Sequence, residues 1–278
     1  MTLKNWWMRL WGRLLNLPSA LDLMKRREEE ILNSLVFISK RTKDFTDPEL
    51  IVIGGYALRA FVPFLRFTRD CDFALMKRDG WNIDRVRGIL PEGYLVEEEQ
   101  KRDSYGFLRC MKFVKYDKAR VKVSMDFMEG EIRGREAGEV IRIDDVMVKS
   151  RVFASITIAG RPIKLPVPSY VDYFIMKVVS ARASDIRDIA ALICENGVPE
   201  NLEVRVKQVL PYPEIFPIKL KERVIPEIRR KTFLDSWRGI FGTTKYNEED
   251  KRKVMMELEK LIKSENNFHK DLSRTWWY

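Results

Sequence analysis

IVIGGYALRAFVPFLRFTRDCDFAL, residues 51–75, sets how the rest of the chain is read. The apolar run Leu50–Ile53 has strand character. Two glycines follow, Gly54 and Gly55, and a short helix-like run over Tyr56–Phe61 breaks near Pro63. Asp70-Cys71-Asp72 then leads into Phe73-Ala74-Leu75. Side chains alternate along a strand, so Asp70 and Asp72 share a face and Cys71 takes the other. Carboxylates about 7 Å apart on one strand face repel each other unless a cation lies between them. Hard divalent ions such as Mg²⁺ or Mn²⁺ take oxygen ligands of this kind. Glycines between a strand and a helix let backbone N–H groups come close to a phosphate.

Further along, Ala119–Met128 alternates most clearly: Val121, Val123, Met125 and Phe127 point one way, and Lys122, Ser124 and Asp126 the other. Asp126 therefore projects from the face opposite a packed apolar row. A strong helix over Pro168–Ala183 has Val171, Phe174, Ile175, Val178 and Val179 inward. A second helix starts at Asp185 and runs to Cys194, with Ser184 available as its cap.

Gly54-Gly55-Tyr56-Ala57 followed by Arg66-Phe67-Thr68-Arg69-Asp70-Cys71-Asp72 resembles the nucleotidyltransferase superfamily, which shares its catalytic fold with DNA polymerase β. The branch it is most similar to is that of the AbiEii-like toxin nucleotidyltransferases and their relatives. The likeness spans roughly residues 50–195. It implies an α/β (α+β) fold: a small mixed β-sheet flanked by helices, then a helical C-terminal domain. It also implies that Asp70, Asp72 and Asp126 hold catalytic Mg²⁺ (or Mn²⁺), and that Gly54 and Gly55, with Arg66 and Thr68, hold the nucleotide. In AbiEii-like proteins the helical half opens with a lysine, a basic residue and an aspartate. Lys177, Arg182, Asp185 and Asp188 fit that pattern. Lys177, helped by Arg182, would neutralise a triphosphate. Asp185 or Asp188 would orient the acceptor or the lysine, and the spacing does not choose between them. One departure stands out. Many relatives carry Gly-Ser after the first strand, whereas this chain has Gly55, so the phosphate grip is expected to rest on backbone alone.

The chain has 278 residues, 45% hydrophobic and 33% charged, with a formal net charge of +10. This is a soluble globular composition, and the positive balance points to an anionic partner such as nucleotide, RNA or DNA. Cys71, Cys110 and Cys194 are isolated, so reduced thiols in a cytoplasmic protein are expected rather than disulfides or a zinc site. His269, near the C-terminus, is the only histidine and is expected at the surface, which leaves little room for a histidine-based metal site or a Ser-His triad. No apolar run approaches the roughly 20 residues of a membrane span.

Residues 1–45 read as N-terminal amphipathic helices, 46–167 as the catalytic domain and 168–278 as the helical domain. Trp7, Leu10, Trp11 and Leu14 share one helical face, suited to a membrane surface or, better, to docking on protein. Trp276-Trp277-Tyr278 at the other end suggests packed termini or a homo-oligomer contact. Ser19 is expected to cap a helix over Leu21–Lys40 that packs behind the sheet. Tyr94–Glu97, Phe107–Lys115, Val140–Asp144, Val146–Ile158 and Ile163–Val167 read as strands, and Asn82–Leu90 as a helix. Glu203–Leu210, Lys219–Lys231, Phe233–Phe241 and Asn247–Ser264 read as helices. Lys219, Lys221, Arg223, Arg229, Arg230 and Lys231 either follow a nucleic-acid backbone or form a solvated face.

The function expected is transfer of a nucleoside monophosphate from an NTP to an acceptor hydroxyl. The acceptor is expected to be RNA, with tRNA foremost. The resemblance adds a toxin role and a cognate antitoxin as partner. A small hydroxylated acceptor, as in aminoglycoside nucleotidyltransferases, or a non-catalytic nucleotide-binding module, remain the alternatives.

Overall fold

Ser19 caps the first described helix: its hydroxyl accepts from the Asp22 N–H, and the Asp22 carboxylate accepts from the Ser19 N–H. A computed structural model describes residues 19–64, 66–78 and 83–274. The elements run α1 (Ala20–Arg41), β1 (Leu50–Ile53), α2 (Gly54–Ala57) with a 3₁₀ turn at Leu58–Ala60, β2 (Asp70–Leu75) and α3 (Ile83–Arg87). Then come β3 (Leu95–Lys101), β4 (Gly106–Tyr116), β5 (Ala119–Glu129), β6 (Glu131–Arg133), β7 (Val140–Arg142), α4 (Asp145–Lys149), β8 (Val152–Ile158) and β9 (Arg161–Val167). The helical half follows: α5 (Tyr170–Ser180), α6 (Ala183–Asn196), α7 (Leu202–Val209), α8 (Ile215–Lys219), a π-helical turn (Leu220–Val224), α9 (Ile225–Arg229), α10 (Phe233–Phe241) and α11 (Glu248–Arg274). The mixed α+β architecture expected from the sequence is present.

The main sheet has five strands in the order β1-β2-β5-β4-β3, with β2 and β5 parallel and the other neighbours antiparallel. Alternation sorts its residues into two cores. Leu50 and Val52 of β1, Cys71, Phe73 and Leu75 of β2, and Val123, Met125 and Phe127 of β5 pack with Ile31, Leu32, Leu35 and Ile38 of α1. Phe73 and Phe127 stack there, 4.8 Å between centroids. Burying each such side chain fully contributes about 1.5–3 kcal/mol, so this face holds α1 where the sequence placed it. Ile51 and Ile53 point the other way and join the core of α5, α6, α7 and α10. In that second core Trp237 and Tyr246 stack at 3.8 Å. The helical half therefore shares a core with β1, and the sheet face carrying Asp70, Asp72 and Asp126 looks toward it.

Two expected elements differ. Val146–Ile158 is not one strand: Asp144 accepts from the Met147 N–H at 2.8 Å and starts α4, so only Val152–Ile158 is extended and pairs with β9. The local cap outcompetes the β-branched composition. The Lys219–Lys231 helix begins earlier, at Ile215, and ends at Arg229. Pro226 supplies no backbone N–H, and the chain widens into the π-helical turn just before it. The Trp-rich segment Leu3–Leu15, the loop residues Asp79 and Gly80, the side chain of His269 and the cluster Trp276–Tyr278 lie outside the described residues. Among those described, no helix is long and apolar enough to cross a membrane.

A buried arginine fastens the helical half. Arg205 of α7 donates Nε to Asp172 Oδ1 at 2.6 Å and both terminal nitrogens to Asp144, each at 2.8 Å. One guanidinium so joins α7 to the first turn of α5 and to the cap of α4. Removing it strands the buried Asp172 carboxylate. Arg205→Ala is expected to cost about 3–5 kcal/mol, read as a lower urea midpoint with an unchanged m-value.

Candidate active site

Parallel pairing of β2 with β5 puts Asp72 directly beside Asp126, and Asp70 beside Ser124. With strands about 4.8 Å apart, the two facing aspartates have nowhere to diverge. One carboxylate oxygen from each of Asp70, Asp72 and Asp126 lies within 4.8 Å of the others. Asp126 is buried and the other two are half-buried. Burial, and then repulsion from Asp70 and Asp126, pushes the Asp72 carboxyl well above the usual carboxylate range. Burial also raises Asp126, with the Arg109 guanidinium pulling the other way. An all-oxygen set under mutual repulsion suits a hard divalent cation, which would relieve it. The donor set thus fits the ion that the resemblance implies.

The glycine turn is shaped by its neighbours. Gly54 has φ +68°, and a Cβ there would lie 2.1 Å from Asp72 Oδ2. Only glycine lets the turn approach that carboxylate. The Gly54 carbonyl accepts from the Tyr173 hydroxyl at 2.7 Å, tying the turn to α5. At Gly55 a Cβ would meet the Thr68 Cβ at 2.8 Å and its Oγ1 at 2.9 Å. The space for a side chain at 55 is already filled by a hydroxyl-bearing one from residue 68. Thr68 Oγ1 in turn donates to Asp70 Oδ1 at 3.2 Å.

Across from the carboxylates stands a second charge cluster, built where α5 meets α6. Ala181 adopts a left-handed conformation, φ 40°, that ends α5 and turns the chain sharply into α6. Lys177 is buried and donates to Asp185 Oδ1 at 2.9 Å and Asp188 Oδ2 at 2.8 Å. Arg66 reaches the same Asp188 oxygen at 2.9 Å. Asp185 also accepts from Ser180 Oγ and Arg182 Nε, and from the Arg182 N–H, which makes it the capping group of α6. Ser184 lies inside that helix and does not cap it. Burial works against the Asp185 charge, yet Lys177 and Arg182 outweigh it and hold the carboxyl well below its ordinary range. Lys177 is likewise held protonated: burial opposes its charge, but Asp185 and Asp188 prevail. Its ammonium faces two carboxylates rather than open space. The exposed cation of the cluster is Arg182.

These groups line one cleft of about 1050 Å³ between the sheet and the helices. Gly54, Gly55, Arg66, Thr68, Asp70, Asp72, Asp126, Lys177, Arg182 and Asp185 all border it, whereas Asp188 does not. The choice left open in the sequence therefore falls differently for the two aspartates: Asp185 faces the cleft, and Asp188 sits behind it holding Lys177 and Arg66. Of the basic C-terminal residues, Lys219 is buried and paired with Glu136 and Glu139, so it braces the β6–β7 hairpin. Arg229 and Arg230 pair with Glu259 and Glu227. Two residues went unread in the sequence. Arg109 grips Asp126 with two hydrogen bonds. Tyr173 was readable as the residue one helical turn before Lys177. Arg109 needed the strand register, in which it faces Asp126 across the β4–β5 hairpin.

Comparison with known proteins adds little. No family profile and no curated protein matches the chain. Among solved structures it is similar to JHP933 from Helicobacter pylori, with 16% identity and a TM-score of 0.45, over 89% of this chain and 98% of that one. It is also similar to a candidate nucleotidyltransferase from H. pylori, with 14% identity and a TM-score of 0.43, over 87% and 96%. At such scores the likeness decides nothing about activity, which has to come from the side chains.

Lys177→Met would leave two buried carboxylates without their shared cation, at about 3–5 kcal/mol. Adding Asp188→Asn should recover part of that loss in urea unfolding. Asp185 has a folded-state pKa below its unfolded value. Its contribution is therefore complete above about pH 4 and is lost as pH falls further, toward the depressed value. Urea midpoints of the wild type should drop more steeply below that pH than those of Asp185→Asn.

Proposed function

We propose that this protein transfers a nucleoside monophosphate from an NTP to a hydroxyl of an acceptor and releases pyrophosphate. The acceptor hydroxyl gives up its proton, with Asp126 as the base, its oxygen forms the new bond to the α-phosphorus, and the bond from that phosphorus to the bridging oxygen of the β-phosphate breaks. The observation that carries this reading is the convergence of Asp70, Asp72 and Asp126 on one point beside the Gly54–Gly55 turn, inside a cleft with cations on its far wall. Asp70, Asp72 and Asp126 would hold Mg²⁺ or Mn²⁺. Bound there, such an ion supplies positive charge to the transferring phosphoryl group and acidifies an adjacent hydroxyl. Gly54 and Gly55 border the same cleft and would offer their backbone to the triphosphate, with Arg182 adding a partly exposed guanidinium. Lys177 acts at one remove, by keeping Asp185 ionised and Arg182 oriented through it.

For the acceptor we favour RNA, with tRNA as the first to try. The net charge of +10 supports an anionic partner, and exposed Arg135, Arg182, Arg223 and Arg230 border the cleft. Growth inhibition restrained by a cognate antitoxin belongs to the same reading.

The test is incubation with α-³²P-labelled NTPs, Mg²⁺ and total tRNA. Label should pass to RNA, disappear with EDTA, and fall by about a hundredfold or more in Asp70→Ala. Expression of the wild type, but not of Asp70→Ala, should slow growth. Transfer to small hydroxylated compounds in place of RNA would redirect the acceptor assignment. Label on no acceptor, equally for wild type and Asp70→Ala, would reject the enzyme.

A further inference from the structure

Three residues on three adjacent strands stand in a row on the cleft-facing side of the sheet. Register places Glu98 of β3 against Arg109 of β4, and Arg109 against Asp126 of β5. The first pairing depends on an irregularity in β3. Val96 pairs with Cys110 but Glu98 with Arg109, so residue 97 is an extra one. A bulge of this kind re-aims the side chains that follow it. The outcome is an arginine between two carboxylates of different character. Asp126 is the buried member of the triad, with its side chain 4% exposed, while the Glu98 side chain is 44% exposed.

Arg109 occupies both oxygens of Asp126: Nε donates to Oδ1 at 2.9 Å and Nη2 to Oδ2 at 2.5 Å. Nη1 lies 3.6 Å from Glu98 Oε2, inside ion-pair range but too far for a hydrogen bond. The guanidinium rests over the Phe107 ring, 5.4 Å from its centroid, and its side chain is 36% exposed, so it has room to turn. A divalent ion cannot share the Asp126 oxygens with a cation already fastened to both of them without like-charge repulsion.

We propose that Arg109 is a latch on the third carboxylate: it holds Asp126 closed to a divalent ion and releases it by changing partner to Glu98. This rests on the reading of the triad as a metal site. Arg109 is a positioning residue, acting on the ion through Asp126. In the released state Arg109 pairs with Glu98 at the rim of the cleft, and Asp126 completes the oxygen set. Glu98 is then the residue that makes release favourable.

The test is Mn²⁺ affinity of the full chain without nucleotide, followed by electron paramagnetic resonance of the free ion. Arg109→Gln should tighten binding by about ten- to a hundredfold, the strength of a charge-assisted pair removed from competition. Arg109→Lys, which keeps the charge but loses the two-pronged grip, should fall between the two. Glu98→Gln should weaken binding in the wild-type background and have little effect beside Arg109→Gln. Arg133→Gln removes a charge from the same cleft without touching the triad, and should change affinity by less than about threefold. An Arg133→Gln effect as large as that of Arg109→Gln, or unchanged or weaker binding in Arg109→Gln, overturns the latch. Asp70→Ala separates the two readings. If wild-type binding is lost in Asp70→Ala while Arg109→Gln gains nothing, the metal site stands and the latch falls. If neither wild type nor Arg109→Gln binds Mn²⁺, both fall.

Discussion

Asp72 and Asp126 are held side by side because β2 and β5 run parallel and in register, and much of the cleft answers to that enforced repulsion. The strands cannot separate, since the opposite faces of the same residues' neighbours, Phe73 and Phe127, are stacked in the core under α1. The carboxylates cannot retreat into water, because Asp126 is buried. What remains is compensation by cations: Arg109 on Asp126, and at longer range Arg182 and Lys177 acting on Asp72. A site strained in this way is stable as a fold and unsatisfied as a charge distribution. That combination is common where a protein keeps a place for something else.

Three further buried charge clusters lie along the contact between the sheet and the helices. Lys177 with Asp185 and Asp188 joins the consecutive helices α5 and α6, and Asp188 also reaches Arg66 far back in the chain; Arg205 with Asp144 and Asp172, and Lys219 with Glu136 and Glu139, join elements distant in sequence. Buried pairs of this kind add little net stability compared with apolar packing, because desolvation offsets most of the attraction. Their geometry is demanding, however, and a misplaced partner is penalised heavily. These clusters therefore set the relative placement of the two cleft walls more than they hold them together, and the apolar core shared by β1 and α5 supplies the adhesion.

How much of this was legible depended on whether the signal was local. The alternation of Val121, Val123, Met125 and Phe127 was readable because one face of β5 is wholly apolar, and it placed Asp126 correctly on the other. Ser19 and the Phe233–Phe241 helix were likewise local patterns. Asp144 was misread because a capping aspartate inside a β-branched stretch looks like strand until its side chain is seen on the Met147 N–H. Arg109 was missed because its meaning lies in pairing across a hairpin. Once Tyr116 is set against Ala119, counting back along both strands reaches Arg109 and Asp126 together. Lys177 was found by resemblance, but its burial between two aspartates needed the α5–α6 turn.

The packing of Thr68 against Gly55 bears on how such a turn changes over evolutionary time. A side chain at 55 and the one at 68 compete for a single volume, so the two positions are alternatives rather than independent choices. Carrying the hydroxyl on residue 55 instead of residue 68 would pass through a variant that has lost it, or through one that is crowded. Gly55 and Thr68 therefore behave as one packing unit: a side chain added at 55 would displace the hydroxyl that Thr68 holds against Asp70.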